Sequence, residues 1–419
     1  MESDMDEVKT EENQGPDHRK LGYDLDLFTF SDLVGPGLPL WTPRGTVLRS
    51  ELDRFVQEMR DGYGFQAVTI PHITKRDLYE KSGHWTKFSQ DLFHIKSREG
   101  HEFAMKPMNC PHHAQIYASR PRSYRELPIR YRETTMNYRD EQSGELNGIL
   151  RARSFTQDDA HVFCREEDIV QEVLNLWDVV EKFYATLNFQ LSLRFSKRDP
   201  ATPGAYAGTA EQWQRAEQEL GKAIEKKGVK TDEDGLGDAA FYGPKLDFVA
   251  KDSLGREWQV ATIQLDFAQP EGLGLTYTNT DGQEQRPVMI HCAVMGSIER
   301  FLGVYIEHTN GNFPLWLSPE QLRVATLNDD KAVIHKTWEI LDKAKELGLR
   351  VELDNSNESV GKKIRDAEVM KVPYTVVIGG KEVESGKLTP RGRNDLPKIP
   401  ESSVEELLER LSQDASSRK

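Results

Sequence analysis

RDEQSGELNGILRARSFTQDDAHVF, residues 139–163, opens on a guanidinium, turns through polar residues and continues as a strand. Arg139 precedes Asp140 and Glu141, Gln142 to Gly148 form a polar turn containing glycine, and the strand-like stretch from 148 to 163 carries Arg151 and Arg153. A planar guanidinium beside a carboxylate on such a hairpin can grip a nucleotide, with arginine on phosphate and glutamate on an amino edge. The same residues also fit a surface ion pair. Further strand-like stretches follow at 189–195, 246–251, 257–267 and 287–294, several joined by turns such as Asp252-Ser253-Leu254-Gly255. Strands joined this way predict an antiparallel sheet with helices packed on it, an α+β core.

Upstream of the hairpin, Thr42 as N-cap and Pro43 at the first helical position begin a helix over 42–60, with Leu48, Leu52, Phe55, Val56 and Met59 on one face. A short strand, Phe65 to Ile70, ends at Pro71. Residues 209–227 read as a charged helix, a candidate mobile cover. Beyond Pro314 the pattern changes to strand 322–327, helix 331–347 with Ile334, Trp338 and Leu341 on one face, strand 349–353, helix 359–370, strand 374–378 and helix 402–411. Alternating strands and helices predict a small C-terminal α/β domain. The expected division is an acidic disordered arm over 1–22, a core over 23–314 and a second domain over 315–419.

Composition bounds the function. With 37% hydrophobic and 30% charged residues in 419, the chain suits a soluble two-domain protein. No apolar run approaches the roughly 20 residues of a membrane span. The first residues, MESDMDEVKTEENQGPDHRK, lack the apolar segment of a signal peptide and the Arg-rich character of a transit peptide, so the cytoplasm is the expected location. The three cysteines, Cys110, Cys164 and Cys292, form no CxxC pair and argue for a reducing compartment. The net charge of −14 speaks to solubility more than to local contacts. From Leu315 onward 18 Lys+Arg meet 19 Asp+Glu, so the acidity sits mainly before it. Against that background Arg120, Arg122, Arg125, Arg130, Arg132, Arg139, Arg151 and Arg153 stand out as a basic segment, read either as a solvated face or as an RNA contact.

Cys110, His161 and His291 offer one thiolate and two imidazoles, a set that suits zinc with a fourth position open. They are far apart in sequence, and a buried cysteine or histidine is more often a core residue. Arg300 follows Gly296-Ser297-Ile298-Glu299 at the start of an apolar helix, where small residues let the backbone approach a phosphate.

Taken together, MKPMNCPHH (105–113), RARSFTQDDAHVFC (151–164), FYGPKLDF (241–248), WQVATIQLDF (258–267) and VMIHCAVMGSIERF (288–301) resemble the successive signature blocks of the threonyl-tRNA synthetases, in the family's order. The resemblance runs from about Asp17 to about Leu411. It implies a class II synthetase core followed by an anticodon-binding domain, with the 42–60 helix and the strand after it building a homodimer. It implies ATP contacts at Arg139 (α-phosphate), Glu141 (adenine amino group), Arg151, Gln259, Ser297 and Arg300 (γ-phosphate), with Mg²⁺ accompanying ATP. It implies zinc on Cys110, His161 and His291, and an amino-acid pocket of Met108, Gln157, Asp159, Tyr242 and Gln264. Glu382 and Arg391 would read anticodon bases of tRNA(Thr). Cys292 stands where the family often has arginine, and a second thiol beside His291 is either a neutral buried residue or a perturbation of the metal site.

The activity implied is formation of threonyl-adenylate from L-threonine and ATP, then transfer to the tRNA. The residues before Asp17 are too few for the family's editing region, so the expectation is a form that makes seryl-tRNA unless a separate protein edits it. A non-catalytic, synthetase-like regulator that binds RNA or amino acid is the rival, and Arg139, Glu141, Arg300 and the Cys/His set all argue against it.

Overall fold

Thr42 and Pro43 do begin a helix, Pro43–Gly62, with the Thr42 hydroxyl accepting from the Gly45 amide at 3.2 Å. The predicted face, Leu48 to Met59, is buried. Gly45 is required by close approach, since a Cβ there would lie 1.8 Å from the Leu27 carbonyl oxygen. Near the helix end Arg60, fully buried, donates to Asp158 Oδ2 at 3.1 Å, and that carboxylate also accepts from the Val294 and Met295 amides at 2.9 Å. The helix is thereby pinned to two strands at once, and breaking such a buried pair costs ~3–5 kcal/mol. The structure is a computed structural model and describes residues 15–231 and 233–418.

The core is an eight-stranded sheet in the order Glu233–Leu236, Leu191–Lys197, Lys245–Lys251, Glu257–Asp266, Val288–Ser297, Ser154–Cys164, Ile129–Tyr138, Gln66–Ala67. Its six central strands pair antiparallel and the two edge strands pair parallel, so the α+β expectation holds. The Asp252 turn closes as read, with the Gly255 amide on Asp252 O at 3.0 Å and Gly255 at φ +78°.

Several readings need correction. The Phe65–Ile70 strand contributes only Gln66–Ala67. The basic segment is not one surface: only Arg130 and Arg132 lie in the strand Ile129–Tyr138, paired with Glu172 at 2.7 Å and Asp61 at 2.6 Å, and a buried Arg122 is held on the carbonyls of Tyr117 and Ile116. The helix Ile169–Thr186, absent from the sequence reading, packs Val173, Leu176, Trp177, Val180 and Phe183 into the core. The charged helix Ala210–Lys227 is docked against it, with Trp213, Ala216, Leu220 and Ala223 buried and Lys227 bound to Asp178 and Glu181 at 2.7 Å. Most of the expected acidic arm (residues 1–14) lies outside the described residues. Its remainder is not an arm: Asp17 caps a helix, His18–Asp24, and His18 Nδ1 meets Glu307 Oε1 at 2.7 Å.

The C-terminal domain has its own sheet, ordered Val351–Asp354, Leu322–Thr326, Tyr374–Ile378, Arg391–Gly392, parallel except for the last pair. In its helix Lys331–Glu346 the buried face is Val333, Thr337, Ile340, Leu341 and Ala344, and Trp338 is half exposed. The predicted face was rotated by one residue because tryptophan outweighed threonine in the apolar pattern, whereas the Thr337 hydroxyl is satisfied locally by Val333 O at 2.8 Å. Arg350 joins the domains by donating to Trp316 O at 2.6 Å, Ser318 O at 2.9 Å and Glu51 Oε1 at 2.9 Å. Among the described residues no helix is long and apolar enough to cross a membrane.

Candidate active site

Along the Ser154–Cys164 strand, side chains alternate between the sheet's faces. Thr156, Asp158, Ala160 and Val162 point into the buried core, while Phe155, Gln157, Asp159 and His161 share the opposite face. At the Phe155 end lies a cavity of about 500 Å³ lined by Arg139, Glu141, Arg151, Phe155, Ser297 and Arg300, with Trp258 at its wall. At the His161 end lies the cluster of Cys110, His161 and His291.

The cavity is electrostatically incomplete. The Arg139 amide closes the hairpin on Arg153 O at 2.9 Å, and its half-buried guanidinium lies 5.1 Å from the Phe155 ring centroid. Its Nε has no hydrogen-bond partner, and burial lowers the pKa of the group. Arg300 sits at the start of the helix Ile298–Thr309, its amide on Ser297 Oγ at 3.2 Å and its guanidinium 5.9 Å from the Trp258 ring centroid. Partial desolvation against the cavity wall first, then the neighbouring Arg151 charge, lowers its pKa. Arg151 donates to Glu141 at 2.8 Å and Glu145 at 3.0 Å, so the ion-pair reading of this motif is also realised. Arg139, half-buried, and Arg300, exposed on the cavity side, bind no carboxylate and stand over a polar cavity, an arrangement suited to a phosphate. Gln259 does not line this cavity and instead donates to Asp247 Oδ1 at 2.7 Å.

The cluster at the other end is made by register. His161 and His291 are direct partners on adjacent antiparallel strands, and Cys110 opens the helix Cys110–Ala118. One ligand atom from each of the three lies within 4.8 Å of the others, and all three residues are buried. His161 Nε2 and His291 Nδ1 are 3.1 Å apart. Each imidazole is held from behind: His291 Nε2 by Asp266 Oδ2 at 2.9 Å, and His161 Nδ1 by His113 Nδ1 at 2.8 Å, with His113 in turn on Glu133 at 3.3 Å. Burial keeps His161 neutral and pushes the Cys110 thiol up. Two imidazoles, one with a carboxylate behind it, and a thiol that needs a nearby cation to ionise, fit zinc. Cys292 alternates to the other face, near Arg60, and burial pushes its thiol up to about 12; it is a neutral core residue outside the cluster.

Between the two ends lie the expected pocket residues. The Tyr242 ring stacks on His291 at 4.9 Å, and its hydroxyl donates to Gln264. Met108 is buried beside Cys110. Asp159 Oδ2 accepts from Asn109 at 3.0 Å, and Gln157 Oε1 from Asn137 at 2.8 Å. Phe155, Trp258, His113 and Asp266 were missed by sequence reading. A period-two reading back from His161 would have found Phe155. In the second domain Glu382 caps its own helix through the Gly379 amide at 3.0 Å. Arg391 is exposed at a separate cavity of about 430 Å³, shared with Lys371 and Arg393, that Glu382 does not line.

Residues 93–309 match the family model for the tRNA synthetase class II core domain (G, H, P, S and T), and residues 321–414 match the anticodon binding domain. The architecture is thus that of a class II aminoacyl-tRNA synthetase core with its anticodon-type partner domain. Curated relatives include the threonine--tRNA ligases of Cytophaga hutchinsonii, 48% identical over 92% of this chain and 60% of the relative, and Chlorobium phaeovibrioides, 44% identical over 96% of this chain and 60% of the relative. A crystal structure of the RNA binding domain of threonyl-tRNA synthetase from Cryptosporidium parvum Iowa II superposes with a TM-score of 0.89 at 37% identity, covering 95% of this chain and 98% of that one. The chain belongs to the threonyl-tRNA synthetase family. It spans about 60% of the length of the curated relatives it matches.

Proposed function

We propose that the chain activates L-threonine with ATP and transfers it to the 3′ end of tRNA(Thr). The observation that carries this reading is the single strand face running from Phe155 at the phosphate-ready cavity to His161 in the Cys/His/His cluster. One such face can hold ATP at one end and an amino acid at the other. The threonine carboxylate attacks the α-phosphorus, pyrophosphate leaves, and a terminal ribose hydroxyl of the tRNA then attacks the adenylate carbonyl, releasing AMP. Arg139 neutralises the α-phosphate, Arg300 holds the γ-phosphate and Glu141 accepts from the adenine amino group. Catalysis is positioning and charge stabilisation, with Mg²⁺ accompanying the nucleotide.

Zinc on Cys110, His161 and His291 would supply a Lewis-acidic centre that chelates the threonine amino and hydroxyl groups. Asp159 accepts from the same groups, and Met108, Tyr242, Gln157 and Gln264 wall the pocket. Valine has the shape of threonine without its hydroxyl, and a site built for a polar contact rejects such an analogue by ~10⁴. Serine lacks only the methyl, which supports ~10–200-fold discrimination. Clearing seryl-tRNA therefore needs a hydrolytic site other than this pocket, and a separate editing protein is a candidate partner. The helix Pro43–Gly62 serves a homodimer, and Glu382 and Arg391 meet anticodon bases. Three free, buried thiols suit the cytoplasm.

The test is ATP–pyrophosphate exchange with threonine, serine or valine, before and after zinc removal. Threonine-dependent exchange that zinc removal abolishes is expected. Exchange with no amino-acid preference would refute the reading.

A further inference from the structure

Lys106, in the MKPMNCPHH block, has no exposed surface. Its ammonium donates to Asn109 Oδ1 at 2.8 Å, Thr135 Oγ1 at 3.2 Å and Asn137 Oδ1 at 3.3 Å, and to no carboxylate. An ammonium has three donors and no acceptor, so all of its hydrogen-bonding capacity is used on neutral oxygens. Holding a cation there is costly, and burial brings its pKa down to about 8. A methionine of similar length would fill the space without that cost, so the charge calls for a reason beyond packing.

The reason lies in what the two asparagines do next. With their oxygens turned to Lys106, their NH₂ groups must face the other way. Asn109 Nδ2 donates to Asp159 Oδ2 at 3.0 Å, and Asn137 Nδ2 donates to Gln157 Oε1 at 2.8 Å. Gln157 thus has its acceptor end occupied and its NH₂ free as a donor, while Asp159 keeps its second oxygen as an acceptor. Without a donor-only group at position 106, either asparagine can turn its amide over and put an oxygen against Asp159 or Gln157. We propose that Lys106 is a positioning residue that sets the donor and acceptor polarity of the amino-acid pocket through Asn109 and Asn137. It acts from behind the pocket and touches no substrate. This rests on the reading of Gln157 and Asp159 as threonine contacts.

The experiment compares wild type with Lys106→Met in threonine-dependent ATP–pyrophosphate exchange, alongside zinc content and thermal melting. The expected result is a rise in KM for threonine of about 10–100-fold, the size expected when one or two hydrogen bonds to a polar substrate are misdirected, with KM for ATP within about 2-fold and zinc content unchanged. Threonine and ATP KM rising together, or an unchanged threonine KM, overturns the inference. Should Lys106→Met fail to fold, Asn137→Leu removes the arm to Gln157 together with one of the three acceptors of Lys106. A threonine-specific rise in KM again supports the inference, and an unchanged value overturns it. If wild type itself shows no threonine-dependent exchange, the functional reading fails and the inference goes with it; an active wild type with an unaltered Lys106→Met variant sinks the inference alone.

Discussion

The cavity end of the Ser154–Cys164 strand and its His161 end handle buried charge in opposite ways. At the cavity, Arg139 is half-buried with a shielded, unpartnered Nε and Arg300 binds no carboxylate, so positive charge is left uncompensated. At the cluster, both imidazoles, Asp159 and Asp266 are already bonded to neighbours within the fold. One end depends on its ligand to complete the electrostatics. The other is assembled in advance, and what it selects is set by internal hydrogen bonds. Lesions at the first should cost rate and leave stability intact, whereas lesions at the second should cost metal binding and, where the metal is lost, selectivity.

The most severe test of this contrast is Cys110→Ala. The preference for threonine over valine in kcat/KM, ~10⁴ for a hydroxyl-reading site, should collapse along with bound zinc. A variant that still rejects valine would erase the distinction between the ends. Next is Arg139→Gln, which should lower the exchange rate by ~10²–10³ without lowering the melting temperature, because it removes a half-buried cation that has no carboxylate partner. A melting temperature several degrees lower would mark Arg139 as structural. Asp266→Asn is expected to weaken zinc binding by about 10–100-fold while leaving threonine preference intact at saturating metal, read by titration against a chelator. The smallest effect belongs to the second domain. Arg391→Ala should raise KM for tRNA(Thr) a few-fold and narrow its preference over other tRNAs, with amino-acid activation untouched; a change in pyrophosphate exchange would contradict its placement.

Much of the fold was legible where local signals were strong. Thr42-Pro43 and the apolar face behind it located the first long helix, and the Asp252–Gly255 turn located an antiparallel pair. The helix Ile169–Thr186 lies just beyond a stretch dense in polar functional groups, yet Ile169, Val173, Leu176, Val180 and Phe183 recur at helical spacing, so its signal is present in the sequence. The basic segment misled because net charge along a sequence does not reveal its partners: Asp61 and Glu172, which neutralise Arg132 and Arg130, come from two different helices. The Cys110, His161 and His291 set was not derivable from spacing. It exists only because two strands pair in the register that puts His161 opposite His291, a tertiary fact that resemblance supplied and local pattern could not. Lys106 was invisible for the same reason, since its acceptors Thr135 and Asn137 lie on a strand not recognised as one.

Arg350 holds the carbonyls of Trp316 and Ser318 and the Glu51 carboxylate with one rigid fork. Such a joint leaves little play, so the span from the second domain to the catalytic sheet works as a ruler cut to a fixed length. On the proposed function, a nucleic acid that touches both ends would have to supply the bending itself.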